Sequence, residues 1–118
     1  MGRRKKILLI DDQQYLQELL SEELSSSRYE IDTISDINTL EDFFRTSTPD
    51  IVLLDLYLNG FEGWDILRDL KNKHPHLPVL IVTAYDNYMD DSRLTLADGY
   101  VVKNSNLTAL KQKIENII

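Results

Sequence analysis

Hydrophobic and polar positions alternate along this chain in blocks of two kinds. Short, nearly continuous apolar runs such as Ile7–Ile10 and Ile51–Leu54 have strand length. Between them lie stretches with apolar residues at helical spacing. Lys6–Asp11 reads as a buried strand ending in acid. A helix is expected over about Gln13–Ser25, with Leu16, Leu19, Leu20 and Leu24 on one face. Tyr29–Ile34 alternates like a half-buried edge strand, and Asn38-Thr39-Leu40-Glu41 resembles a capping box opening a short helix to about Arg45. Asp50–Asp55 is a second buried strand, followed by a long loop, Leu56–Glu62, and a helix over Gly63–Lys73 with Trp64, Leu67 and Leu70 inward. His74-Pro75 closes that helix. Val79–Val82 is the fourth strand, Asn87–Leu96 a weak polar helix, and Gly99–Val102 the fifth strand. A final helix has Leu107, Leu110, Ile114 and Ile117 on one face. Five strands alternating with helices predict an α/β fold, a doubly wound five-stranded parallel sheet with helices on both faces.

Composition narrows the picture. The 118 residues are expected to form one domain, 1–118, without internal repeat or linker. The formal net charge is −7, and the basic cluster Arg3, Arg4, Lys5, Lys6 precedes the first strand, so the remainder is more acidic still. Direct nucleic-acid binding, which rests on Lys and Arg, is not expected. No cysteine is present, which removes disulfide frameworks and thiolate chemistry and suits a cytoplasmic protein. No apolar stretch approaches the about 18 residues of a membrane helix, so no membrane partner is expected. The basic start fails as a signal peptide because its apolar run stops at Asp11-Asp12.

In parallel sheets of this kind ligands gather beyond the carboxyl ends of the strands. The first strand ends in Asp11-Asp12, the third in Asp55, the fourth in Thr83 and the fifth in Lys103. Three carboxylates at one edge repel one another, and a bound cation relieves this. Oxygen donors without His or Cys point to a hard ion, Mg²⁺. A metal, the Lys103 ammonium and the Thr83 hydroxyl together suit a phosphoryl group, which a carboxylate can carry as an acyl phosphate. Each residue alone has an ordinary structural explanation: Asp12 as a helix cap, Asp55 as a strand end. Their coincidence at four strand ends favours the site. Trp64 is read as core packing, and His74 and His76 lack companion ligands. Asp86, Asp90 and Asp91 are read as favouring a helix N-terminus.

The chain resembles the receiver domain of bacterial two-component response regulators, of the chemotaxis-regulator type, from Lys5 to Ile118. The resemblance rests on Ile7-Leu8-Leu9-Ile10-Asp11-Asp12, Asp50–Leu56, Gly63 eight residues after Asp55, Val82-Thr83-Ala84 and Gly99-Tyr100-Val101-Val102-Lys103. It implies a flavodoxin-like strand order 2-1-3-4-5. It implies that Asp55 takes a phosphoryl group from a phosphohistidine on a sensor histidine kinase or a histidine phosphotransfer protein. Mg²⁺ would be held by Asp12 and Asp55, the Tyr57 backbone carbonyl, and Asp11 through water. Lys103 would pair with Asp55, and Thr83 and Tyr100 would act as the switch. The remodelled surface of fourth helix, fifth strand and fifth helix would meet a downstream protein, with a phosphorylation-dependent homodimer as an open alternative. Such a domain is a signalling module, not an enzyme beyond its own phosphorylation and dephosphorylation.

Three features depart from the family pattern. Asn104 stands where proline usually follows the lysine, so either a trans bond with a shifted loop or a retained cis bond is expected; the latter costs about 2.5–4 kcal/mol. Asn59 stands where proline often follows the acceptor aspartate, predicting a looser loop. The segment between Thr83 and Lys103 is about two residues short, and Tyr88, Met89, Leu94 and Leu96 give no clean apolar face, so a short or mobile fourth helix is expected. Tyr57 and Tyr85, each two residues beyond a site residue, predict hindered attack by water and slow loss of the phosphoryl group. The alternatives are a pseudo-receiver that binds proteins without phosphorylation, an Mg²⁺-dependent aspartyl phosphohydrolase and a flavodoxin-like electron carrier. Tyr57, in place of a general acid, speaks against the hydrolase. The acidic Asp11-Asp12-Gln13-Gln14, in place of a phosphate loop, speaks against the carrier.

Overall fold

The apolar runs become the centre of one twisted sheet. The computed structural model describes residues 4–11, 18, 21, 22, 24, 28–58, 61–83, 91–102 and 107–118, with only the backbone at 57, 58, 61 and 62. Its strands are β1 (Lys5–Ile10), β2 (Tyr29–Ile34), β3 (Ile51–Leu54), β4 (Tyr57–Leu58), β5 (Phe61–Glu62), β6 (Val79–Thr83) and β7 (Gly99–Val102). Five of them form a parallel sheet in the order β2-β1-β3-β6-β7. Counted within the sheet, that is the expected 2-1-3-4-5. The chain runs outward from β1 to β2 and then returns to β3 on the other side, so strand order reverses between β1 and β3. A doubly wound sheet opens a crevice at such a reversal.

The strands read as unbroken apolar runs because both faces of the sheet are covered. Leu8, Ile10, Val52, Leu54 and Ile81 meet Ile66, Leu67 and Leu70 of the Gly63–Lys73 helix, together with Leu40. Ile7, Leu9, Ile51, Leu53, Leu80 and Val82 meet Leu24 and, from the Thr108–Ile117 helix, Leu110 and Ile114. Successive strand residues thus belong alternately to the two cores, as the two-residue strand period requires. Leu107 and Ile117 pack beside the second core, as their spacing predicts. Of the expected first helix, Glu18, Ser21, Glu22 and Leu24 are described, and all four are helical.

Some local elements differ from expectation. The capping box does not form as read. Asp36 accepts from the Asn38 amide at 2.9 Å and opens a 3-10 turn, Ile37–Thr39, ahead of the Leu40–Thr46 helix. The Thr39 hydroxyl donates back to the Asp36 carbonyl at 2.7 Å, so it does not cap forward. The loop after Asp55 contains the antiparallel β4–β5 pair. Within the Gly63–Lys73 helix Ile66 is buried and Trp64 only half-buried, because Ile66 rather than Trp64 continues the Leu67–Leu70 face. The described part of the expected fourth helix is a 3-10 stretch, Ser92–Leu96; Tyr88 and Met89 lie outside the described residues. No helix among the described residues is long and apolar enough to cross a membrane.

Two carboxylates fasten the opposite, amino-terminal edge of the sheet. Asp50 accepts from the Lys6 amide at 2.7 Å, joining the starts of β1 and β3. Asp98 accepts from the Val79 amide at 2.8 Å and from Lys71 Nζ at 3.0 Å, and the same ammonium donates to the Leu77 carbonyl at 3.0 Å. One side chain thus ties β6, the approach to β7 and the Gly63–Lys73 helix together. Asp98→Ala leaves a part-buried amide and a largely buried lysine without that acceptor. It is expected to cost about 1–3 kcal/mol, read as a lower urea midpoint with an unchanged slope. Asp98→Asn, which keeps an acceptor for the amide, is expected to lose less.

Candidate functional site

At the carboxyl edge the chain leaves β1 at Asp11, β3 at Asp55 and ends β6 on Thr83. The sheet's ladder continues one step past the strands: the Asp55 amide donates to the Ile10 carbonyl at 3.0 Å, and the Asp11 amide to the Ile34 carbonyl at 3.1 Å. With Ile10 level with Leu54 and Leu54 level with Ile81, the ends of β1, β3 and β6 lie side by side. Thr83 is in turn level with Val102, the residue before Lys103.

Among the described residues the buried polar or charged side chains are Asp11 at 0%, Asp55 at 5% and Thr83 at 0% exposure. Carboxylates are rarely buried unless partnered, so buried polar groups are more telling than exposed apolar ones. All three make interactions in the structure, and no buried side-chain polar atom among the described residues is left without a hydrogen bond. The sheet's interior is otherwise apolar. Two carboxylates and a hydroxyl collected at adjacent strand ends therefore form a local polar site.

The backbone next to Asp55 is held by Gly63. The Gly63 amide donates to the Leu56 carbonyl at 2.8 Å. A Cβ on residue 63 would lie 2.6 Å from both the Asp55 carbonyl oxygen and Leu56 Cα. The start of the helix thus abuts the Asp55-bearing strand end main chain to main chain. This closeness explains why a glycine stands there; the eight-residue spacing alone gave no such reason.

Tyr100 is level with Ile81 in the sheet and half-buried, and it packs with Trp64, Leu94 and Ala97 against the core on that face. Of the remaining predicted positions, Asp12, Lys103, the Lys103-Asn104 bond, Asn59, Gly60, Tyr85, Asp86 and Asp90 lie outside the described residues. For Tyr57 only the backbone is described, paired with Glu62 in the β4–β5 ribbon. Asp91 caps the 3-10 stretch, accepting from the Arg93 amide at 2.9 Å. The Arg93 guanidinium hydrogen bond, then the backbone one, holds the Asp91 carboxyl down at about 2. Arg93 also stacks on Trp64, 4.3 Å from the ring centroid, a contact no sequence motif announced. His74 stacks on Phe44 with ring centroids 4.4 Å apart.

The donor chemistry of Asp11 and Asp55, buried oxygens on neighbouring strand ends, fits a hard divalent cation. Among the described residues no group of three ligating side chains occurs, the third expected carboxylate, Asp12, lying outside them. A groove of about 540 Å³ runs between Ile37–Phe44 and the Gly63–Lys73 helix. None of Asp11, Asp55 and Thr83 lines it, so it is separate from this site.

Comparison with known proteins agrees with this geometry. Residues 7–115 match the family model described as "Response regulator receiver domain". The response regulator protein TrrA of Thermotoga maritima, crystallised in complex with Mg²⁺-BeF, is 34% identical, with a TM-score of 0.89 covering 97% of this chain and 99% of that one. TrrA crystallised with the histidine kinase ThkA gives 36% identity and a TM-score of 0.87, covering 97% and 98%. "Probable transcriptional regulatory protein TcrX" of Mycobacterium tuberculosis is 36% identical over 104 residues, 86% of this chain and 44% of that protein. The chain therefore spans less than half the length of this curated relative.

Proposed function

The chain belongs to the family of response regulator receiver domains, and from that membership we propose that Asp55 accepts a phosphoryl group from a kinase phosphohistidine and thereby switches a protein-binding surface. The observation that carries this reading is the buried set Asp11, Asp55 and Thr83, placed together at one sheet edge in a core that is otherwise apolar. A carboxylate oxygen of Asp55 forms a P–O bond as the P–N bond of the phosphohistidine breaks. The leaving imidazole keeps the electron pair and takes a proton. Thr83 orients the phosphoryl oxygens, and Lys103 neutralises them. Mg²⁺ would be held by Asp12, Asp55 and the Tyr57 carbonyl, with Asp11 acting through water; when bound it neutralises carboxylate and phosphoryl charge. TrrA, so close in fold and sequence, is seen both with Mg²⁺-BeF and with a histidine kinase, which supports the same donor class here. The output surface would include the Ser92–Leu96 stretch, β7 and the Thr108–Ile117 helix. Leu96, 44% exposed, is the large apolar side chain left open to solvent among the described residues.

Acetyl phosphate with Mg²⁺ tests the proposal. One phosphoryl group per chain is expected by intact mass, with a change in Trp64 fluorescence, and none in Asp55→Ala. Modification that survives Asp55→Ala, or no modification at all, favours the pseudo-receiver reading instead. The flanking tyrosines add a second expectation. Replacing Tyr57 and Tyr85 with small polar residues should shorten the lifetime of the phosphorylated form, timed by phosphate release after donor removal; unchanged lifetimes place both rings away from the attacking water.

A further inference from the structure

Trp64 and Arg93 connect two regions far apart in the sequence. Trp64 directly follows Gly63, whose main chain is packed against Asp55 and Leu56. Its half-buried ring packs on the sheet's core and carries the Arg93 guanidinium at 4.3 Å. Arg93 is not a loosely placed cation. Its Nε donates to Asp91 Oδ1 at 3.0 Å and a terminal nitrogen donates to Oδ2 at 2.8 Å, a two-point fork. Asp91 also accepts from the Arg93 amide, so it fixes the backbone and the side chain of the same residue. The fork also holds the Asp91 carboxyl below the usual carboxylate range. A preformed, oriented guanidinium is what a cation–π contact needs, since little further side-chain freedom is lost in making it.

The consequence is a continuous chain of contacts. Main chain at Asp55 and Leu56 touches Gly63; Trp64 holds Arg93; Arg93 holds Asp91, which opens the Ser92–Leu96 stretch. That stretch lies in the segment leading to Tyr100 on β7. We propose that Arg93 is a positioning residue for Asp55: seated on Trp64, it fixes the start of the Gly63–Lys73 helix and so the backbone that presents the acceptor carboxylate. This rests on the receiver reading of Asp55. It is a connection distinct from the Thr83–Tyr100 switch, because it reaches the acceptor from behind, through its main chain. Coupling between two sites is reciprocal. A protein that draws Arg93 off the ring therefore acts on Asp55 in the same direction as loss of the Arg93 side chain.

The test compares wild type with Arg93→Gln and Arg93→Lys in two measurements. The first is hydrogen exchange at the Gly63 amide, which reports the bond to Leu56. The second is the phosphorylation rate against acetyl phosphate concentration with Mg²⁺. Arg93→Gln should raise Gly63 exchange about two- to fivefold, the size of an exposed cation–π contact. It should lower the saturating rate by a similar factor and leave the donor concentration at half-maximal rate unchanged. Exchange deep in β3 should not move, which separates positioning from general destabilisation. Arg93→Lys, which keeps a cation but not the fork, should recover part of both effects. Unchanged Gly63 exchange and rate in Arg93→Gln, beside a wild type that is phosphorylated, overturn the positioning role alone. A wild type that takes no phosphoryl group overturns the receiver reading with it.

Discussion

Asp55→Asn is expected to take up no phosphoryl group at any donor concentration while keeping its fold. The amide has nearly the volume of the carboxylate, so a site in which residue 55 is 5% exposed is not emptied. What is lost is the anionic oxygen that must bond to phosphorus. Magnesium sharpens the test. A ligand that binds only the folded state stabilises it by about 2.7 kcal/mol at a hundred times its dissociation constant. The urea midpoint of the wild type should therefore climb with added Mg²⁺, and that of Asp55→Asn should climb much less. Phosphoryl uptake that persists in the variant moves the acceptor elsewhere, and a wild type insensitive to both Mg²⁺ and phosphodonor makes the chain a pseudo-receiver.

The candidate site was legible because the sheet is buried on both faces. Under that condition each central strand must be apolar until it emerges, and the first polar residue marks its end. Asp11, Asp55 and Thr83 are such residues, and the structure finds all three buried at the ends of neighbouring strands. The strand order was legible only through resemblance: alternation establishes a parallel sheet, but the return from β2 to β3 across β1 leaves no trace in hydrophobic period. Helix faces were legible: Leu67 and Leu70 are buried and Trp64 packs half-buried against the same core, while Ile66, left out of that reading, is buried beside them.

Contacts that depend on single polar side chains were less accessible. A serine, threonine or aspartate near a helix start has several neighbouring amides and carbonyls within reach, and sequence spacing does not rank them. Asp36 won that local competition over Thr39. Asp50 was read as the first residue of a strand and Asp98 drew no reading, yet each accepts from an amide of a different sheet strand. The Arg93–Trp64 contact joins segments brought together only by packing of the Ser92–Leu96 stretch near the Gly63–Lys73 helix. No periodicity predicts it, although Asp91-Ser92-Arg93 did contain an acid and a base close enough to meet.

Gly63→Ala is expected to damage both stability and phosphoryl uptake, and uptake the more. At an exposed helical position the change would be favourable by about 0.8–1.0 kcal/mol from helix propensity. Here the new methyl would lie 2.6 Å from the Asp55 carbonyl oxygen, 2.6 Å from Leu56 Cα and 3.0 Å from the Leu56 carbonyl oxygen. All three are main-chain atoms, so no side-chain rotation clears the space. Either the helix start withdraws, breaking the 2.8 Å bond from Gly63 to Leu56, or the end of β3 shifts with Asp55 on it. Overpacking of this kind costs about 1–3 kcal/mol, which at least cancels the propensity gain, so the urea midpoint should fall. A displacement of about 1 Å at a reacting group can slow a reaction by about a hundredfold, and a loss of that order in the phosphorylation rate is expected. Gly99→Ala is the control. Its methyl would meet the far end of the Leu80 side chain at 2.7 Å, a group that can turn aside, at the opposite edge of the sheet. It should lose some stability and phosphorylate at the wild-type rate. Equal rates for Gly63→Ala and wild type would mean that the acceptor is positioned without support from the helix behind it.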